Sequence, residues 1–204
     1  MATNCRNLGE IALEVIAKEA EAIQNLSSVI DENFSRVVNL IKSIKGRVVI
    51  TGVGKSGIIA SKIVATMNST GTKAQFLHAA DAMHGDLGMV SSDDVVIVIS
   101  KSGDTAEIKN LVPYVRNIGA PIVAMVSNLD SYLATNADYI LYAPVKSEAC
   151  LCNLAPTVST TVHLVLGDAL AVALEQEKMF TAEDFARVHP GGTLGTVSRN
   201  KQSL

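Results

Sequence analysis

The chain is predicted to be an α/β protein, a three-layer αβα sandwich around a five-stranded parallel sheet preceded by N-terminal helices. Three observations predict it. Five short apolar runs recur at 48–51, 74–77, 95–99, 122–126 and 139–142, and they are nearly continuous in Val and Ile, as strands buried on both faces are. The segments between them place apolar residues three and four apart, the period of a helix. Strand alternating with helix implies parallel strands joined by crossover helices on both faces of the sheet.

In chain order, Leu8, Ile11, Ala12, Val15, Ile16, Ala20, Ile23 and Leu26 form one helical stripe, and a second helix is expected over 32–44. After Gly46 the first strand leads into a glycine loop and then the helical spacing Ile58, Ile59, Ile63, Val64, Met67. Strands two and three follow. Pro113 lies inside the next helical pattern and predicts a kink or a new start there. After the last strand, Thr157, Val162, Leu166, Ala169, Leu170, Ala173 and Leu174 mark a long helix, and the polar residues 198–204 are expected to fray. The organisation expected is one domain, with helices over 1–45, a core over 46–178 and an active-site segment over 179–197.

Composition excludes several classes. With 204 residues, 48% hydrophobic, there is enough chain for one core and no second full domain, and too much apolar content for disorder. A formal net charge of −3 lacks the basic footprint of a nucleic-acid binder. The longest uncharged stretch, 149–167, is broken by Asn153, Pro156, Ser159, Thr160, Thr161 and His163, so no membrane span is expected. The N-terminus leads into an amphipathic pattern with Glu10 and Glu14 rather than an export signal, and a cytoplasmic location is expected. Three cysteines, Cys5, Cys150 and Cys152, do not suggest a disulfide scaffold, and the last two read as buried thiols.

In an open parallel sheet, ligands bind beyond the carboxyl ends of the strands, so the loops there carry the chemistry. After strand one, Gly52-Val53-Gly54-Lys55-Ser56-Gly57 can offer backbone N–H groups, a helix N-terminus and a cation to an anion. Val49 stands where a Walker A loop needs Gly, and no carboxylate ends strand two to hold a ribose, so neither nucleotide motif fits. The plainer alternative is glycines for close strand–helix packing. After strand three, Ser100-Lys101-Ser102-Gly103-Asp104-Thr105 gathers hydroxyls before a helix bearing Glu107. It is either a phosphate loop or a helix start capped by Ser102 or Asp104, and the first loop on a neighbouring strand favours the former.

His78, Asp81, His84 and Asp86 fall within nine residues, but nothing completes a metal set, and an acid/base role suits His84 better. Glu148 follows the last strand and precedes an uncharged stretch; apolar surroundings would raise its pKa and make it a usable base. The alternative is a helix-start carboxylate. His189 opens the glycine-rich turn His189-Pro-Gly-Gly-Thr-Leu-Gly, which could bring an acid/base group onto a site, including a neighbouring subunit's.

Taken together these residues closely resemble the sugar isomerase (SIS) domain of the arabinose-5-phosphate isomerases. GVGKSG at 52–57, STGT at 69–72, HGDLGMV at 84–90, SxSG with Glu107, Lys146-Ser-Glu-Ala-Cys, LAPT at 154–157, GDALAVAL at 167–174 and FTAEDFA with HPGGTLG over 180–195 carry the resemblance across nearly the whole chain. It implies an αβα sandwich, a homotetramer, and interconversion of D-ribulose 5-phosphate and D-arabinose 5-phosphate through a cis-enediol, feeding Kdo and lipopolysaccharide synthesis. It implies no cofactor and no required metal, although His78 could take adventitious zinc.

The resemblance places Lys55, Glu107, Glu148 and His189 in the catalytic set with His84 at the substrate, and Gly71, Thr72 and His78 near the ligand. Gly54, Ser56, Ser100, Ser102 and Thr105 are expected to hold the phosphate, Glu148 to be the carbon base with Glu107 second, and Lys55 to stabilise the enediolate. Family members commonly carry a CBS domain pair after the HPGG segment, which this sequence is expected to lack, and CMP-Kdo is expected as an inhibitor at the same cleft. Lys101 stands where the family often has Asn, Asp104-Thr105 where it often has Glu-Ser, and Cys152-Asn153 where it often has Leu-Gly. Competing readings are an isomerase of another phosphosugar and a non-catalytic phosphosugar sensor; the retained Lys55, Glu107, Glu148 and His189 argue against the latter.

Overall fold

A computed structural model describes residues 7–191, so Cys5, Gly192 to Gly195 and the expected fraying over 198–204 lie outside the described residues. Helices α1 (Leu8–Leu26) and α2 (Glu32–Ser43) come first, begun by Asn7 and Asp31, whose side chains accept from Gly9 N and Asn33 N. The alternation follows: β1 (Val48–Gly52), α3 (Lys55–Ser69), β2 (Ala74–His78), two 3₁₀ turns (Asp81–His84 and Asp86–Met89), β3 (Val95–Ser100), α4 (Ala106–Ile118), β4 (Ile122–Val126), the single turn α5 (Tyr132–Thr135), β5 (Tyr139–Tyr142), α6 (Val158–Glu177) and α7 (Ala182–Val188).

All five strands are parallel, in the order β2-β1-β3-β4-β5. β1, β3 and β4 are buried at every position, which is why their sequences read as unbroken apolar runs. Each fully buried Val or Ile adds about 1.5–3 kcal/mol relative to exposure. One core joins Ile50, Ile97 and Met125 to Ile63 and Met67 of α3 and to Leu166 and Leu170 of α6, with Val37 and Ile41 of α2. The other joins Val49, Val96 and Ala124 to Ile108, Leu111 and Val115 of α4 and to Leu133. Thus α3, α6, α1 and α2 cover one face and α4 with α5 the other.

The new start predicted at Pro113 does not occur, because α4 runs through it. Pro113 and Lys109, whose carbonyl loses its helical donor there, are both exposed residues of α4. Helix α6 is long and apolar enough to cross a membrane by length and composition. Its apolarity is spent instead on packing against α3, α1 and α2.

Candidate active site

The strand order puts the switch point of the sheet between β1, whose following helix covers one face, and β3, whose following helix covers the other. Gly52 is in register with Ile99 on β3 and with His78 on β2, so the glycine loop, the serine loop and the start of the His78–His84 segment leave the same edge of the sheet. This is the convergence expected of a phosphate cleft.

The glycines of the first loop divide the two readings between them. A Cβ on Gly52 would stand 2.9 Å from the Ser56 carbonyl carbon and one on Gly57 2.8 Å from the Gly52 oxygen, so these two allow close strand–helix packing. Gly54 is different, with φ +56 and open space where a Cβ would go. It ends the loop as the N-cap of α3, which has neither a side-chain cap nor an acidic residue in its first turn. Lys55 is exposed and Ser56 half-buried, and neither side chain makes a bond among the described residues. An uncapped helix N-terminus beside a free cation favours an anion.

In the second loop the expected caps are not the caps found. Thr105 is the N-cap residue of α4, but its Oγ1 is buried without a partner among the described residues. Asp104 instead accepts from Tyr132 N at 3.3 Å and pairs with Lys109 Nζ at 3.0 Å. Ser102 is exposed, its Oγ accepting weakly from Asp104 N at 3.4 Å. Ser100 is buried and shapes the turn, its Oγ accepting from Gly103 N at 3.0 Å, which leaves its hydroxyl proton available to an anion. Glu107, in the first turn of α4, makes no hydrogen bond or ion pair among the described residues.

The expectation for Glu148 is overturned. Its side chain is 1% exposed, but its surroundings are polar. Oε1 takes the Lys101 ammonium at 2.7 Å, and Oε2 accepts from Thr157 N at 2.9 Å, Thr157 Oγ1 at 3.3 Å and Ser159 N at 3.2 Å. The carboxylate therefore caps the N-terminus of α6 from ten residues upstream of that helix. Burial pushes its pKa up, but the Lys101 pair and the Ser159 and Thr157 hydrogen bonds outweigh it and bring the group down to about 2. The backbone holds it in place, with Lys18 Nζ donating to the Glu148 carbonyl at 2.8 Å and Glu148 N to Asn153 Oδ1 at 2.5 Å.

One residue of this cluster carries no motif in the sequence. His163, one turn beyond Ser159 on α6, is fully buried with both ring nitrogens unpartnered among the described residues. Burial drives its pKa down to about 4; the Glu148 charge raises it and the Lys101 charge lowers it further. Only its interruption of an uncharged stretch marks it in the sequence, since a helical apolar position does not reveal which loop it will face.

Several expected ligand residues stand elsewhere. Gly71 and Thr72 precede β2, at the opposite edge of the sheet, where Gly71 packs under Phe180 and Thr72 Oγ1 accepts from Lys178 Nζ at 2.9 Å. His189 also starts from that end: its ring stacks on Phe185 at 3.9 Å and its Nδ1 lies 3.0 Å from the Phe185 carbonyl. Helix α6 spans about 30 Å and α7 about 10 Å, so the segment after Phe180 does not return His189 to Glu148 within one chain. His84 is exposed, and His78 is exposed with Nδ1 3.5 Å from Asp81 Oδ2. Cys150 and Cys152 are not the buried thiols expected: Cys152 is exposed, and Cys150 Sγ accepts from Ala155 N and Leu154 N, which lower its pKa. Among the described residues no three His, Cys, Asp or Glu side chains gather to hold a metal.

The family model of the SIS domain matches residues 40–173. The chain belongs to the SIS domain family. Within it, this SIS domain is 50% identical over 184 residues to arabinose 5-phosphate isomerase KdsD of Pseudomonas aeruginosa, covering 90% of this chain and 56% of that protein. It is 49% identical over 183 residues to arabinose 5-phosphate isomerase KpsF of Escherichia coli O6:H1, covering 89% and 56%. The chain thus spans little more than half the length of these relatives. The solved structure of an E. coli CFT073 protein in complex with arabinose 5-phosphate superposes with a TM-score of 0.87 at 43% identity, covering 92% of this chain and all of that one.

Proposed function

We propose that this SIS domain is an aldose–ketose isomerase that interconverts D-ribulose 5-phosphate and D-arabinose 5-phosphate through a cis-enediol. The observation that carries the reading is the pairing, at one switch point, of an uncapped anion-binding helix start with two carboxylates of opposite state, Glu107 unengaged and Glu148 locked. The likeness to proteins named arabinose 5-phosphate isomerase, and to one solved with arabinose 5-phosphate, supports the choice of sugar.

Gly54, Ser56, Ser102 and Thr105 hold the phosphate, with the Ser100 proton as a further donor, which fixes C1 and C2 near the carboxylates. One carboxylate takes the proton from the ketose C1 or the aldose C2, the C–H electron pair becomes the enediol double bond, and the carbonyl oxygen gains a proton. Reprotonation at the other carbon gives the product. Glu148 is the carbon base, Glu107 the second acid/base, Lys55 the cation facing the enediolate oxygen, and His84 an exposed proton donor for ring opening. His189 acts in this reading from a neighbouring copy of a homotetramer, because its own chain holds it at the far edge; Gly71 and Thr72 are ligand contacts on the same condition, and His78 is one from the end of β2 in its own chain.

The reading includes one SIS domain in the cytoplasm, a place in Kdo and lipopolysaccharide synthesis, and inhibition by CMP-Kdo at the phosphate cleft. Incubation with ribulose 5-phosphate, with and without EDTA, followed by product identification tests it. Arabinose 5-phosphate formed in both is expected; no isomerised product overturns the reading.

A further inference from the structure

A general base with a carboxyl near 2 takes a carbon-bound proton poorly, since base strength near the working pH sets the rate. The hydrogen bonds show what would have to change. Oε2 of Glu148 is fixed by three donors at the start of α6, so Oε1 is the oxygen left for chemistry, and the Lys101 ammonium sits on it. Lys101 belongs to the same loop as Ser100, Ser102 and Thr105, and its side chain is 39% exposed while Glu148 is 1% exposed. One end of this ion pair thus reaches solvent beside the serine loop, and the other is enclosed.

We propose that Lys101 is a substrate-displaced latch: the arriving phosphosugar draws its ammonium away from Oε1 of Glu148 and so releases the carboxylate as a base. The proposal rests on the isomerase reading and adds a residue to its site. Besides Lys101, the titratable or charged groups tied to Glu148 among the described residues are His163 of α6, which feels its charge, and Lys18 of α1, which donates to its carbonyl. Neither can replace the lost cation at Oε1: His163 is buried neutral, and Lys18 is engaged on the backbone oxygen. With Lys101 withdrawn, Glu148 loses the foremost of the groups that hold its pKa down, while burial still pushes it up, so its proton affinity rises. The His163 ring is freed of the Lys101 charge but still feels Glu148, so its proton affinity rises too, which gives the unpartnered imidazole a place beside the working base.

The latch separates two pH profiles, because kcat/KM reports the free enzyme and kcat the substrate complex. In the wild type the acid limb of kcat should lie at least about one pH unit above that of kcat/KM. In Lys101→Met the kcat/KM limb should rise to meet the kcat limb, which itself stays in place. The free sugar phosphate adds the same ionisation to both kcat/KM profiles, so it cancels between wild type and variant. Coincident limbs in the wild type, or an unchanged separation in Lys101→Met, overturn the latch. Lys101→Gln serves if the methionine variant does not fold. A second measurement needs no turnover: the Glu148 carboxyl ¹³C resonance, titrated with and without arabinose 5-phosphate, should move to a higher pKa when the sugar is bound, and an unmoved titration overturns the latch. A wild type without isomerase activity but with this ligand-induced shift sinks the isomerase reading and leaves the latch standing.

Discussion

Lys101 Nζ lies 2.7 Å from Glu148 Oε1, and this one contact ties the loop after β3 to the start of α6. The two residues are 47 apart in the sequence and leave different strands, so the pair exists only because β3, β4 and β5 lie side by side. Burial pushes the Glu148 pKa up, but the pair together with the Ser159 and Thr157 hydrogen bonds outweighs it and keeps the carboxylate charged at neutral pH. The charge of Glu148 is thus a property of the folded cleft rather than of its local sequence.

Glu148→Gln keeps the shape of the side chain and removes the carboxylate proposed as the carbon base. Turnover of ribulose 5-phosphate is expected to fall by about 10²–10⁴, the usual worth of general-base work, with KM nearly unchanged. Steady-state kinetics check this, and a variant with wild-type kcat would show that another group takes the carbon proton.

Thr105→Val separates ligand binding from stability. Thr105 Oγ1 is buried and unpartnered among the described residues, so an apolar group of the same shape should leave unfolding stability within about 1 kcal/mol or improve it. If the hydroxyl is reserved for the phosphate, Kd for arabinose 5-phosphate rises about tenfold, a loss of about 1.4 kcal/mol. Calorimetric titration beside urea unfolding gives both numbers; unchanged affinity removes Thr105 from the phosphate set.

His163 predicts a pH dependence of stability. Its folded pKa, about 4, lies below the ordinary 6.5, so between these values the unfolded chain binds a proton that the native protein does not. Stability from this group is complete above pH 6.5, is lost as pH falls toward 4, and is level below that. The loss is on the order of 3 kcal/mol. Urea unfolding at pH 7, 5.5 and 4 should show His163→Leu losing that much less than the wild type over the same window. Parallel curves for the two proteins would show that His163 gains a proton partner in solution.

Much of the fold is legible in the sequence because the strands are buried on both faces. The runs at 122–126 and 139–142 match β4 and β5 residue for residue, and the other three miss only the last residue of each strand. Pro113 misleads because its effect depends on which side of α4 meets solvent, which the pattern does not give. The glycine and serine loops are readable too, since a strand–loop–helix sequence at adjacent strands leaves them at one edge. Glu148 is misread for a physical reason: its neighbours in sequence are apolar, while its neighbours in space are Lys101, Thr157 and Ser159.

Periodicity and glycine placement are local properties of a chain, so the order of elements, the two cores and the candidate ligand loops follow from the residues in line. The charge of Glu148, the burial of His163 against it, and the placing of Thr72 and His189 at the far edge from the cleft come from tertiary structure. Those depend on distances between segments far apart in sequence, and pKa, burial and reach are set by distance.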